Sequence, residues 1–218
     1  MKIGTAIIAA LGAGLFGAAY AFAASPTKIG FDADIARNAQ TMLEEGRKTF
    51  RFETFGSEAF WGDALQLHKA IAGENNGGVG PGVSPKTALS VGLKVDADAL
   101  PEALKKQLAA GKVNLDDPAT TIALLKLNAV VGVTAFTNPD GSVRSIGIQC
   151  AFCHSTVDNS FAPGIGKRLD GWANRDLNVG AIVSLAPKLK PFTDLLGVDV
   201  ATVKKVLASW GRVATTRS

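Results

Sequence analysis

Apolar residues recur at helical spacing along most of this chain. The spacing predicts helices over residues 34–52, 57–72, 99–110, 118–127, 174–185 and 200–210. Asp117-Pro118 marks a helix start, Asp199 is a suitable N-cap, and Gly111 is placed to end a helix. The fold is therefore predicted to be mainly α.

Two predicted strands flank one clear turn. Residues 131–136 and 143–148 enclose Asn138-Pro139-Asp140-Gly141, a composition that favours a β-turn. Two further stretches, 73–84 (GENNGGVGPGVS) and 163–170, are predicted to be loops because their residues are typical of turns. The expected architecture is helical with one small β-hairpin.

The first residues have the pattern of an export signal. Lys2 precedes an apolar stretch over residues 3–19, and Ala21-Phe22-Ala23 matches a cleavage site. We predict a signal peptide over residues 1–23 and a single periplasmic domain over residues 24–218, with an N-terminal helical part (24–130) and a haem-attachment part (131–218). An uncleaved signal would instead tether the protein to the membrane. No later segment is apolar enough to form a span.

Composition and charge narrow the function classes. Hydrophobic residues make up 47% and charged residues 19% of the 218 positions, which excludes disorder caused by low hydrophobicity. The net charge of +4 is spread along the chain, so it gives no case for nucleic-acid binding but permits docking to an acidic partner. The two cysteines lie three positions apart, so no disulfide framework is expected.

Cys150-Ala151-Phe152-Cys153-His154 is a C-x-x-C-H sequence, the pattern of covalent haem c attachment. Two thiols at this spacing on a helical turn can each reach one vinyl group of a porphyrin, and the next residue can bind the iron. We predict one haem c on Cys150 and Cys153, with His154 as its proximal axial ligand. Two alternatives are a thioredoxin-like redox pair, which expects a βαβ context, and a zinc half-site, which needs two more ligands.

The sixth iron ligand stays open at this point. Met and His are the usual ligands in electron-transfer haems, and after signal removal the chain offers Met42 and His68. His68 lies at helical spacing from Trp61 and Leu65, so it is either the distal ligand or a histidine at the edge of the core. Met42 is either a ligand or a core filler, and an open sixth position is the third option.

Three residues that follow the motif are candidates for contacts with the haem propionates. They are Arg168, Trp172 and Arg175. Guanidinium groups suit carboxylates, but the arginines are equally compatible with solvated surface charge and the tryptophan with a core position. Phe152 is expected to pack beside the macrocycle or against a neighbouring helix.

Several blocks around the motif resemble one group of proteins. They are residues 50–56 (FRFETFG), Phe60-Trp61, 166–171 (GKRLDG) and 174–180 (NRDLNVG). With the haem motif they resemble exported bacterial c-type cytochromes that are distantly related to the di-haem cytochrome c peroxidases. The resemblance runs from about Gly46 to Trp210 and implies a cytochrome c-like helical haem domain in a shortened member of the group. Di-haem peroxidases carry two such motifs and this chain has one, so one chain cannot divide electron relay and peroxide reduction between two haems.

Two classes of function follow. The first is a periplasmic mono-haem cytochrome that passes single electrons between periplasmic or membrane-bound redox proteins, with six-coordinate iron. The second is a haem peroxidase-like enzyme or a haem-based sensor with an open distal site, which would need a polar group near the iron. Gln66, Glu58 and Glu74 are near enough to His68 in sequence to be considered. The spin state of the ferric iron separates the classes, and low spin is expected.

Overall fold

The structure is a computed structural model, and it describes residues 30–211. The signal peptide predicted over residues 1–23 lies outside this range. The chain divides into two compact units, Met1–Met42 and Leu43–Ser218, and the first of them is described only over residues 30–42. Within the described range, none of the helices combines the length and the apolar character that a membrane span requires.

Helices are the main element of the described chain. The α-helices are α1 (Asp32–Phe52), α2 (Leu67–Ala72), α3 (Pro85–Ser90), α4 (Glu102–Ala109), α5 (Pro118–Lys126), α6 (Ala151–His154), α7 (Val179–Ser184), α8 (Lys190–Leu196) and α9 (Val200–Ala208). A π-helical turn covers Ala59–Ala64, and 3₁₀ turns cover Glu74–Asn76 and Ala97–Ala99. This helical content agrees with the mainly α prediction, and the cytochrome c-like fold stays a prediction.

Short strands pair two by two. They are β1 (Val95–Asp96), β2 (Val133–Thr137), β3 (Val143–Ile148), β4 (Ser155–Val157), β5 (Ile165–Gly166) and β6 (Arg168–Asp170). β2 and β3 form the predicted antiparallel hairpin, while β1 pairs with β5 in parallel and β4 with β6 antiparallel. The predicted hairpin is therefore confirmed, whereas the loop expected over residues 163–170 is wrong, because β5 and β6 lie within it. A strand of two or three residues is too short to show an alternation of apolar and polar positions. Its pairing therefore depends on contacts with other parts of the chain.

The helix predicted over residues 57–72 is divided in two. The Leu65 amide closes the π-helical turn by donating to the carbonyl five residues earlier, at 2.9 Å, and Gln66 then adopts a left-handed backbone with φ 55° before α2 begins. Gly62 is pressed against β3, since a Cβ there would lie 1.6 Å from Ser145 Oγ. Leu65 and His68 are nevertheless buried, as the apolar spacing predicted.

The core lies in the second unit, where Leu65, Leu67 and Ile146 are almost completely buried. None of the residues of α1 is buried, although α1 is the longest helix among the described residues. Met42 is 64% exposed, so its expected role as a core filler is wrong. The apolar stripe of α1 follows helical spacing, but spacing alone does not supply a surface to pack against.

Candidate functional site

The C-x-x-C-H motif forms a single helical turn directly after the hairpin. Cys150 precedes α6, and its side chain and those of Cys153 and His154 are exposed, whereas Ala151 and Phe152 are buried. Positions 150, 153 and 154 share a helix face because they are three and four residues apart. The three predicted haem-binding side chains therefore lie together on one exposed face, and both thiols are free.

Hydrogen bonds from the following loop fix the backbone of this turn. The Gly171 amide donates to the His154 carbonyl at 2.8 Å, and the Asn174 amide donates to the Cys153 carbonyl at 2.9 Å. The last carbonyls of a helix have no partner within the helix, so these bonds replace missing ones. The Asn174 side chain also donates to the Gly92 carbonyl at 2.9 Å, which ties the loop to the rest of the unit.

Gly132 supports the inner side of α6. A Cβ at this position would lie 2.2 Å from the Cα of Phe152, and the backbone of Gly132 has φ 86°, which favours glycine. The Gly132 carbonyl accepts a hydrogen bond from the Gln149 amide at 3.0 Å. Phe152 is thereby held in the core at 7% exposure, beneath the face that carries the thiols.

Asp170 connects the residue after His154 to two arginines. Its Oδ1 accepts a hydrogen bond from Ser155 Oγ at 2.8 Å and lies 3.3 Å from Arg168 Nε, while Oδ2 accepts from Arg51 Nε at 2.6 Å. Burial acts to raise the pKa of Asp170, but the bonds from Arg51 and Ser155 and the charge of Arg168 outweigh it, so the pKa is lowered. The charged carboxylate thus joins the end of α1, β4 and β6 directly after the C-x-x-C-H motif.

Sequence reasoning did not single out this charge cluster. Asp170 lies 119 positions from Arg51, so no local spacing connects them. The signal available was the GKRLDG block, which carries Arg168 and Asp170 two positions apart. On a strand, residues two apart face the same way, and this places both side chains on the same face of β6.

Arg168 is not the solvated surface charge that was one alternative for it. Its side chain is 2% exposed, and Nε lies 4.0 Å from Asp96 Oδ2. Burial lowers the pKa of Arg168 and raises the pKa of Asp96. Nη2 of Arg168 is buried and has no hydrogen-bond partner within residues 30–211. Its contact with a haem propionate stays a prediction.

His68 lies on α2, which packs against β3 and α5. Its side chain is buried, with 8% exposure, and Nδ1 has no hydrogen-bond partner in the described part of the chain. Burial, followed by the charge of Lys69, lowers the pKa of His68, although the Gly62 backbone and Asp63 act against this. The ring is therefore neutral at pH 7, which is the form that binds iron. Its assignment as the distal ligand stays a prediction.

The remaining candidates lie at the surface. Trp172 is 65% exposed, so it is not a core tryptophan, and Arg175 is exposed. Trp172 directly follows Gly171, whose amide bonds the His154 carbonyl, and it is therefore beside the haem motif. Met42 is exposed on α1, and its role as an iron ligand stays a prediction.

The two alternative interpretations of the cysteine pair find little support in the geometry. Partial burial raises the pKa of Cys153, whereas redox-active thiols have a lowered pKa, and α6 follows an antiparallel hairpin instead of a parallel βαβ strand. A zinc half-site needs further ligands. Residues 30–211 contain no group of three or more His, Cys, Asp and Glu side chains arranged to hold a metal ion.

Comparison with known proteins gives no information about this site. No protein-family model, no curated protein and no solved structure matches this chain. The resemblance to exported cytochromes thus rests on the sequence blocks described above. What the structure adds is a set of three exposed side chains on one face of a firmly held turn.

Proposed function

We propose that this protein is a periplasmic mono-haem c-type cytochrome that transfers single electrons between redox partners. One observation carries the proposal: the thiols of Cys150 and Cys153 and the imidazole of His154 are exposed on one face of a single turn. This is the chemistry and the spacing that covalent haem attachment requires. A haem bound there would alternate between ferric and ferrous iron and so carry one electron.

The residues around the turn suit a haem. Both thiols are free, and the exposed ring of Trp172 offers apolar surface next to His154. The buried carbons of Phe152 close the inner side of the turn, so the exposed side is the one open to a ligand. Because the backbone carbonyls of Cys153 and His154 are already bonded to the loop, the main chain of the turn is held without a ligand.

The same arrangement explains how the chain can tune the iron. The amides of Asn174 and Gly171 hold the backbone on both sides of His154, and the bond between Ser155 Oγ and Asp170 holds the residue that follows. The orientation of the proximal ligand is one of the factors that set a haem's potential. The buried charge cluster behind the turn therefore acts on the haem through the position of His154.

Expression of the full chain together with a cytochrome c maturation system tests the proposal. We expect a red protein whose mass corresponds to the chain cleaved after Ala23 plus one haem, with a low-spin ferric spectrum. The variant Cys150→Ser should keep one thioether and a covalently bound haem, whereas the double variant with Cys153→Ser should lose all covalent haem. A colourless protein with both thiols free or joined to each other would refute the proposal.

The spin state then distinguishes the electron carrier from the alternative class. A high-spin ferric spectrum, together with peroxide turnover well above that of free haem, would favour an enzyme or sensor with an open distal site. Conversion of His154→Gln serves as the reference for loss of the proximal ligand. A low-spin spectrum without peroxide turnover supports the carrier.

A further inference from the structure

A cavity of about 330 Å³ lies between α3, α4 and α5, in a part of the second unit that carries none of the predicted haem-binding residues. Its floor includes Val95 and Ile165, the first paired residues of β1 and β5. Protein interiors are close-packed, with few voids larger than a water molecule. A hollow of this size is therefore a feature to be explained.

The lining of the cavity is aliphatic. Leucine, valine, isoleucine, alanine and proline side chains make up all of it except Gln107 and Thr120, and no charged or aromatic residue takes part. The Thr120 hydroxyl already donates to the Asn114 carbonyl at 2.8 Å. Gln107 is exposed, so its amide lies at the rim. The interior thus offers neither an ion partner nor a ring to stack on.

One wall of the cavity is loosely held. α4 contains no buried residue, and Leu104 and Leu108, which line the cavity, are only partly buried. The opposite wall belongs to the core, where Leu124 and Ile165 are 8% and 4% exposed. Segments with few buried apolar contacts open most easily, so α4 is the wall that can move to admit a ligand.

We propose that this cavity binds the hydrocarbon chain of a fatty acid. An apolar cavity of about 150 Å³ stays dry and takes up benzene, and ligand sites in proteins begin at about 300 Å³. An aliphatic lining without aromatic rings or charges suits a saturated chain and disfavours nucleotides, flavins and sugars. None of the residues that line the cavity is a predicted haem-binding residue.

The charge at the mouth favours a carboxylate as the polar end. Lys86 and Lys112 line a surface hollow that shares Val113 and Leu115 with the cavity. Lys86 lies 3.3 Å from Asp116, with both side chains largely exposed. Lys112 directly precedes Val113 and is exposed, so its ammonium group is placed to attract an anionic head group.

Calorimetric titration of the full chain with decanoate tests this site. We expect saturable binding with one molecule per chain and a rise in the thermal unfolding temperature. Ala123 lines the cavity at an exposed position, so Ala123→Phe should obstruct the opening and weaken binding by at least about tenfold. Ala109→Phe places the same ring on α4 at an exposed position that does not line the cavity, and it should bind decanoate within about twofold of the parent.

Two further arms identify the head group and the source of the chain. Lys112→Ala should weaken the binding of decanoate and leave the binding of decan-1-ol unchanged. Vesicles of phosphatidylglycerol should not compete with free decanoate. Absence of saturable binding, equal affinity of a folded Ala123→Phe variant, or binding to the vesicles alone would each overturn the proposal.

Discussion

The two histidines of this chain have opposite environments. His154 is exposed, at the end of a turn whose backbone carbonyls are bonded to the following loop. His68 is buried at 8% exposure on α2, and one of its ring nitrogens has no partner among the described residues. At His154 the protein fixes the main chain and leaves the side chain exposed to solvent. At His68 it buries the side chain itself.

This difference shows where the structure provides for chemistry. A ligand that must meet a large cofactor needs an open face and a rigid base, and the turn has both. A buried neutral histidine contributes to packing, and it can bind iron only where the cofactor reaches into the core. Substitutions test this difference at the base of the turn, at the charged residues that follow it, and at the two imidazole rings.

The largest effect is expected from Gly132→Ala. The added Cβ would lie 2.2 Å from the Cα of Phe152, in a backbone with φ 86°, so the turn and the hairpin must separate. We expect a loss of more than about 3 kcal/mol in the free energy of unfolding, measured by urea denaturation.

Gly141→Ala is the matched control for this substitution. Gly141 also has a positive φ, of 80°, but the nearest atom to its Cβ would be Lys126 Nζ at 3.6 Å. Only the backbone penalty of about 1 to 2 kcal/mol remains. Equal losses in the two variants would contradict the close contact behind α6.

Asp170→Asn should have the next largest effect. It removes the carboxylate that faces Arg51 and the buried Arg168 and leaves Arg168 with Asp96 at 4.0 Å, so we expect a loss of about 2 kcal/mol. Asp194→Asn breaks an exposed pair with Lys190 and should cost less than about 1 kcal/mol. Similar losses in both variants would show that the cluster behind the haem motif contributes no more than a surface pair.

The pH dependence of the Asp170→Asn effect has a defined sign. The pKa of Asp170 is lowered in the folded protein, so its stabilisation is complete above the unfolded value of about 3.9 and is lost as the pH falls through the folded value. The difference in unfolding free energy between parent and variant should therefore shrink below about pH 4. A constant difference down to about pH 2 would contradict the charged state of Asp170.

The smallest changes in stability are expected from the substitution of each histidine by glutamine. The comparison of His68→Gln with His154→Gln tests the two environments directly. His68 is buried with a lowered pKa, so the parent should lose stability as the pH falls below about 6.5, and the His68→Gln substitution should abolish this slope. We expect a loss of about 1 to 2 kcal/mol at pH 7 for His68→Gln and less than about 0.5 kcal/mol for the exposed His154→Gln.

Spectra of the haem-loaded variants separate the roles, because the distal-ligand hypothesis requires both substitutions to abolish the low-spin form. An unchanged spectrum in His68→Gln would leave that residue a structural role only.

Local signals in the sequence were sufficient for several elements. Asp117 and Asp199 cap α5 and α9 through side-chain bonds to amides two and three residues on, as their positions predicted. The β2–β3 hairpin and the helix over most of residues 34–52 also follow from short-range patterns. These features depend on residues within one turn or one strand pair, and such interactions can be read directly from the order of the residues.

The sequence by itself determined the chemistry of the site, because the C-x-x-C-H spacing places two thiols and an imidazole on one face of any helical turn. Tertiary structure alone decided that this face is open, that Arg168 is buried, and that Asp170 binds an arginine 119 positions away. It also decided that α1 buries none of its apolar residues. Spacing specifies which side chains share a face, but the burial of that face depends on packing partners from distant parts of the chain.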